Sequence, residues 1–157
     1  MAEVPAPQVG RVGLQLSSPR MAKVTFLLGL CGSGKTFVCD QLKAKTAVET
    51  FIDLMHNRAL PNLIQSLRDG KDCIVEEWLF CVPAWRDSIV SHISSEVPHV
   101  KVEFICFEND LESANWNVTH RKNKGEPENH LQFNEWLHGI YVYPAGAEVR
   151  PIKRIVL

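Results

Sequence analysis

Short apolar runs alternate along this chain with segments of helical periodicity. The first run, Lys23 to Leu28, is apolar and partly β-branched, the pattern of a strand buried on both faces. From Lys35 to Lys45, Phe37, Val38 and Leu42 give a helix an apolar side. Val48 to Ile52 predicts a second strand, ending at Asp53. Leu60, Leu63, Ile64 and Leu67 then share one helical face, with Gly70 as the stop signal. Asp72 to Glu77 predicts a third strand. Pro83 suits the first turn of a helix whose Trp85, Ile89, Val90 and Ile93 lie on one side. Val100 to Phe107 predicts the fourth strand, and Asp110 caps a helix carrying Leu111, Ala114 and Val118. Phe133, Trp136, Leu137 and Ile140 return to helical spacing, closed by Gly139. Val149 to Val156 predicts a last strand that Pro151 assigns to a sheet edge. The alternation implies an α/β fold with a parallel sheet and a ligand at the carboxyl ends of its strands.

Composition narrows the class further. The 157 residues fit one domain with a real core, 45% of them hydrophobic and 22% charged. Residues 1–20 hold three prolines, two glycines and little periodicity, and read as a flexible extension ahead of a domain over 21–157. A net charge of −1 favours neither nucleic acid nor an anionic membrane as a bulk partner. No apolar run approaches the roughly 20 residues that span a bilayer, and no signal-like stretch opens the chain, so a cytoplasmic protein is expected. Five cysteines without a C-x-x-C pair argue against a disulfide framework or a zinc site.

The candidate chemistry starts between the first strand and the first helix. Gly29-Leu30-Cys31-Gly32-Ser33-Gly34-Lys35-Thr36 fits the pattern G-x-x-x-x-G-K-[ST] at every fixed position, in the strand–loop–helix setting the motif requires. Glycines let backbone N–H groups turn inward around phosphate oxygens, and the helix N-terminus adds positive potential. Gly29, Cys31, Gly32, Ser33, Gly34, Lys35 and Thr36 are therefore the expected triphosphate cradle. Lys35 is placed for the β- and γ-phosphates and Thr36 for Mg²⁺. Cys31 is either a variable loop position or a thiol made oxidisable by Lys35 and the helix terminus.

Further candidates fall on the same edge of the expected sheet. Asp53 suits accepting a proton from an acceptor hydroxyl, holding Mg²⁺ through water, or capping a helix near His56. Glu76 and Glu77 end an apolar strand, where packing alone explains carboxylates poorly. Because side chains alternate, one is expected to point toward the metal site and the other to the opposite face. Glu76 is favoured for the metal side and Glu77 for the substrate, with the reverse left open. Arg86 is either an anion clamp for the acceptor or an exposed surface residue. Arg121, Lys122 and Lys124 lie in a polar stretch around 119–130 that reads as a short lid over bound phosphates or as a solvated helix end. Trp85 and Trp136 are assigned to the core, whereas Trp78 and Trp116 are candidates for lining a pocket.

On these residues the chain resembles the small-kinase branch of the P-loop NTPases, which includes gluconate, shikimate, nucleoside-monophosphate and polynucleotide 5′-hydroxyl kinases. The resemblance spans about Lys23 to Val156 and is specific only over Gly29 to Thr36. It implies a three-layer sandwich around a five-stranded parallel sheet of order 2-3-1-4-5, with helices on both faces. It also implies ATP and Mg²⁺ as cofactors, Asp53 as base or substrate anchor, and Arg121 in a lid. Two departures stand out: one arginine among lysines in the lid, and Glu76-Glu77 where an aspartate is usual. The expected activity is transfer of a γ-phosphate to a small hydroxylated or anionic metabolite. The alternatives are a polynucleotide 5′-hydroxyl kinase, disfavoured by the near-neutral charge, and a non-catalytic nucleotide-binding module. No guanine-reading Asn/Thr-Lys-x-Asp motif is present, which disfavours GTP.

Overall fold

A computed structural model describes residues 21–122 and 127–157. The most apolar strand, β1 (Lys23–Leu28), lies at the centre of a five-stranded sheet of order β2-β3-β1-β4-β5. Its neighbours are β3 (Cys73–Glu76) and β4 (Lys101–Phe107), and the edges are β2 (Glu49–Ile52) and β5 (Glu148–Arg150). Every pairing is parallel. Val24, Phe26, Leu27 and Leu28 are completely buried, as a central parallel strand demands. Phe26 stacks on Phe80 at 4.1 Å and on Phe104 at 5.6 Å between ring centroids. Burying each such side chain contributes about 1.5–3 kcal/mol.

The helices are α1 (Lys35–Lys45), α2 (Leu60–Arg68), α3 (Pro83–Glu96), α4 (Leu111–His120) and α5 (Pro127–His138). The chain runs outward from β1 to β2, then reverses to reach β3. Right-handed crossovers therefore put α1 and α2 on opposite faces of the sheet. From β3 it passes across β1 to β4, so the strand order diverges beside β1, where open α/β sheets bind ligands. None of the described helices is long and apolar enough to cross a membrane.

Four expectations need correction. The last strand stops at Arg150, because Pro151 has no N–H to continue the ladder. The chain instead crosses toward α4, where Lys153 and Ile155 bond to the Asn117 side chain. On α3 the expected faces are exchanged at two neighbours: Arg86 is buried and Trp85 is 42% exposed. Trp136 on α5 is likewise 48% exposed rather than in the core, and Phe37 on α1 is 65% exposed. Trp85 and Trp136 instead meet Trp78 edge-on at 5.7 and 5.8 Å, and Phe133 joins it at 4.8 Å. Edge-to-face contact satisfies these rings while leaving one side of each accessible. Trp78 begins a short 3₁₀ turn, Trp78–Cys81, which periodicity did not anticipate. The expected extension over 1–20 and the lid residues 123–126, including Lys124, lie outside the described residues.

Candidate functional site

The carboxyl ends of the strands border a cavity of about 830 Å³. The phosphate loop forms its floor. Gly32 has φ +83° and Gly34 φ +107°, values that residues with a side chain rarely adopt. A Cβ at Gly32 would also lie 2.5 Å from the Ala114 carbonyl of α4, so the loop presses directly against that helix. Gly34 occupies the N-cap of α1 and supplies no side-chain cap, which leaves the first-turn N–H groups open to an anion. Ser33 is 2% exposed, and its hydroxyl has no protein partner. A buried hydroxyl without a partner is costly unless something else supplies one. These features fit a phosphate group.

Lys35 arches over the loop, its Nζ donating to Gly29 O at 2.9 Å and Leu30 O at 2.8 Å. The hydroxyl of Thr36 donates to Glu76 Oε1 at 2.8 Å, while Glu76 Oε2 is buried without a partner. A hydroxyl and a carboxylate side by side, with one oxygen to spare, form a hard-oxygen donor set that fits Mg²⁺. Glu77 points differently. It is 2% exposed, one of its oxygens has no partner, and burial with Asp53 nearby pushes its pKa up to about 7. Hydrogen bonds from the Leu54 and Leu79 backbone N–H groups, with Lys35, only partly offset that rise. Asp53 follows β2 at φ +50°, where its N–H donates to Glu76 O and its carbonyl accepts from Asn57. This sharp turn carries Asp53 to the cavity wall, together with Glu76, Glu77 and Trp78.

The opposite wall is cationic. Arg121, at the end of α4, bonds through Nη2 to His130 Nδ1 of α5 at 2.8 Å. Burial first, and Arg121 second, hold the His130 pKa below its usual range, consistent with an imidazole that accepts this bond. Arg150 and Lys153 complete that side. Lys122 is exposed and does not line the cavity.

Arg86 does not belong to this site. Its Nη1 donates to the Phe80 and Val142 carbonyls, both at 2.8 Å, so it ties the 3₁₀ turn to the segment after α5 instead of clamping an acceptor. A buried guanidinium needs such partners, and these two hold it away from the cavity. Trp78 lines the cavity, whereas Trp116 stacks on His120 at 4.0 Å and donates to Ile155 O. Among the cysteines, Cys39, Cys73, Cys81 and Cys106 are buried free thiols with raised pKa values caused mainly by burial. Cys31 alone is half-exposed, within the loop.

Two asparagines that the sequence did not single out fix the loop from behind. Asn134 of α5 is completely buried and grips the Cys31 peptide: its Oδ1 accepts from Cys31 N–H at 2.7 Å and its Nδ2 donates to Cys31 O at 2.9 Å. Asn117 of α4 donates to Gly32 O and Lys153 O, both at 2.8 Å, and accepts from Ile155 N–H at 2.7 Å. The one signal available in the sequence was a polar residue on the apolar side of each helix.

Removing the Asn134 amide leaves a Cys31 donor and acceptor unpaired, so Asn134→Ala should lower unfolding free energy by about 2–4 kcal/mol. Nucleotide affinity should fall at least several-fold with it; urea titration and nucleotide titration measure the two effects. For Glu77 the raised pKa means that the folded chain holds a proton the unfolded chain has lost. Its contribution to stability therefore falls as pH rises from 4.5 to about 7. In metal-free protein, Glu77→Gln should become progressively more stable than the wild type across that window, by up to about 3 kcal/mol. Equal urea midpoints at both ends of the window would contradict this.

No protein-family model matches the sequence, and no curated protein matches it. Solved structures do match. A gluconokinase from Sinorhizobium meliloti 1021 superposes with a TM-score of 0.61 at 14% identity, covering 87% of this chain and 86% of that one. A sugar kinase from Janibacter sp. HTCC2649 gives 0.57 at 14% identity, covering 83% and 84%. A chain of the Pnkp1/Rnl/Hen1 RNA repair complex gives 0.56 at 15% identity; the match covers 82% of this chain but 49% of that one. With the strand order and the phosphate loop, these likenesses show that the chain has the fold of the small P-loop kinases.

Proposed function

We propose that this protein is an ATP-dependent phosphotransferase acting on a hydroxyl of a small molecule. The observation that carries this reading is one cavity holding a phosphate loop, a Thr36–Glu76 pair and two further carboxylates, Asp53 and Glu77. A non-catalytic nucleotide-binding module has use for the first two features but not for a proton acceptor beside them.

In this reading the loop N–H groups and the α1 terminus hold the phosphate chain, and Lys35 exchanges its carbonyl partners for the γ-phosphate. Thr36 and Glu76 would hold Mg²⁺, which when bound offsets the negative charge on the β- and γ-phosphate oxygens. Asp53 accepts the proton of the acceptor hydroxyl as its oxygen bonds to the γ-phosphorus. The bond from that phosphorus to the bridging oxygen breaks, and ADP leaves with the electron pair. Arg121 balances the spreading charge from the opposite wall, provided it trades His130 for phosphate.

Roles divide the expected kinetics. Lys35→Ala should reduce acceptor-dependent ADP formation at least about a hundred-fold, since it removes the cation that follows the transferred group. Asp53→Asn should lower kcat by about a hundred-fold while nucleotide affinity stays within a factor of about two. A coupled ADP assay with parallel nucleotide titration separates the two. Unchanged turnover in Lys35→Ala would refute phosphoryl transfer at this loop.

A further inference from the structure

The cavity is electrically divided along the sheet. Its carboxylates, Asp53, Glu76 and Glu77, all come from the ends of β2 and β3, on one side of the phosphate loop. Its cations other than Lys35, namely Arg121, Arg150 and Lys153, come from α4 and the β5 segment on the other side. Lys35 is thus the single cation among the described lining residues of the β2–β3 half, and the transferred phosphate claims it. The residue that sequence reading offered there as an anion clamp, Arg86, is committed to two backbone carbonyls. Among the described residues, a negatively charged acceptor on that side therefore meets carboxylates and no cation beyond Lys35.

The same half offers other chemistry. Glu77 presents a buried oxygen without a partner, which a hydroxyl, able both to donate and to accept, would satisfy. Beside it Trp78 lines the cavity, steadied edge-on by Trp85, Phe133 and Trp136. An indole so placed packs against the C–H face of a polyol or the ammonium of an aminated one. We infer that the acceptor is a polyhydroxylated compound bearing no negative charge, either neutral or amine-bearing, bound between Trp78 and the Asp53–Glu77 carboxylates. This rests on the phosphotransferase reading and narrows its substrate class. It also sets the chain apart from a kinase for a carboxylated sugar or a polynucleotide end.

The test uses the full chain with MgATP and matched acceptors: glycerol, ribitol and glucitol, each beside its aminated, carboxylated and phosphorylated counterparts. ADP formation gives kcat/KM, and calorimetry in the presence of MgADP gives binding without turnover. The neutral and aminated members should exceed the acids by about ten-fold or more in kcat/KM, and Glu77→Gln should shrink that ratio. Preference for the carboxylated or phosphorylated members would overturn the inference while leaving phosphoryl transfer standing. Binding of neutral or aminated members without any ADP formation would support the acceptor class and remove the kinase reading. Failure of every member both to bind and to react would overturn the inference itself.

Discussion

The site rests on the close approach of the phosphate loop to α4. Gly32 sits so near the Ala114 carbonyl that even a methyl group would collide, and its left-handed backbone excludes most other residues. A loop held only by its own glycines would be free to fold in many ways, at an entropic cost on binding. Here Asn134 and Asn117 remove that freedom. One pairs with both polar groups of the Cys31 peptide, and the other joins Gly32 to the chain after β5. Two buried amides preorganise the loop at no cost in charge.

The same two helices connect the loop to the cationic wall. Asn117 lies one helical turn before Arg121, and Asn134 one turn after His130. The Arg121–His130 bond thus sits across the ends of the two helices whose asparagines grip the loop. On the other side of β1, a strained turn at Asp53 and the end of β3 deliver carboxylates, one of them paired with Thr36. Sheet order turns sequence distance into an electric polarity across one cavity.

Element order and the loop itself were legible because they depend on local patterns: apolar runs, helical spacing and glycines at fixed intervals. The central position of β1 came only from the resemblance to the small P-loop kinases. Side-chain alternation predicted that Glu76 and Glu77 would face opposite ways without saying which faced the loop. Glu76 bonds Thr36, and both carboxylates line the one cavity. Arg86 and Trp85 were misread because both stand at helical spacing from the apolar residues of α3, Trp85 four before Ile89 and Arg86 seven before Ile93. Tertiary partners, two carbonyls for the arginine and Trp78 for the indole, decided which went in. β5 was cut short by a proline whose consequence was assigned to edge position rather than to termination. Asn117 and Asn134 were invisible because a buried amide is recognised only by the distant backbone it satisfies.

Held in this shape, the loop is expected to bind a triphosphate. Calorimetric titration of a non-hydrolysable MgATP analogue into the wild type and into Gly32→Ala tests it most directly, with circular dichroism confirming that the variant keeps its fold. Saturable binding by the wild type, weakened about ten-fold or more in Gly32→Ala, is the predicted result, since the added Cβ forces the loop off α4. No binding by the wild type, or equal binding by both proteins, would contradict it.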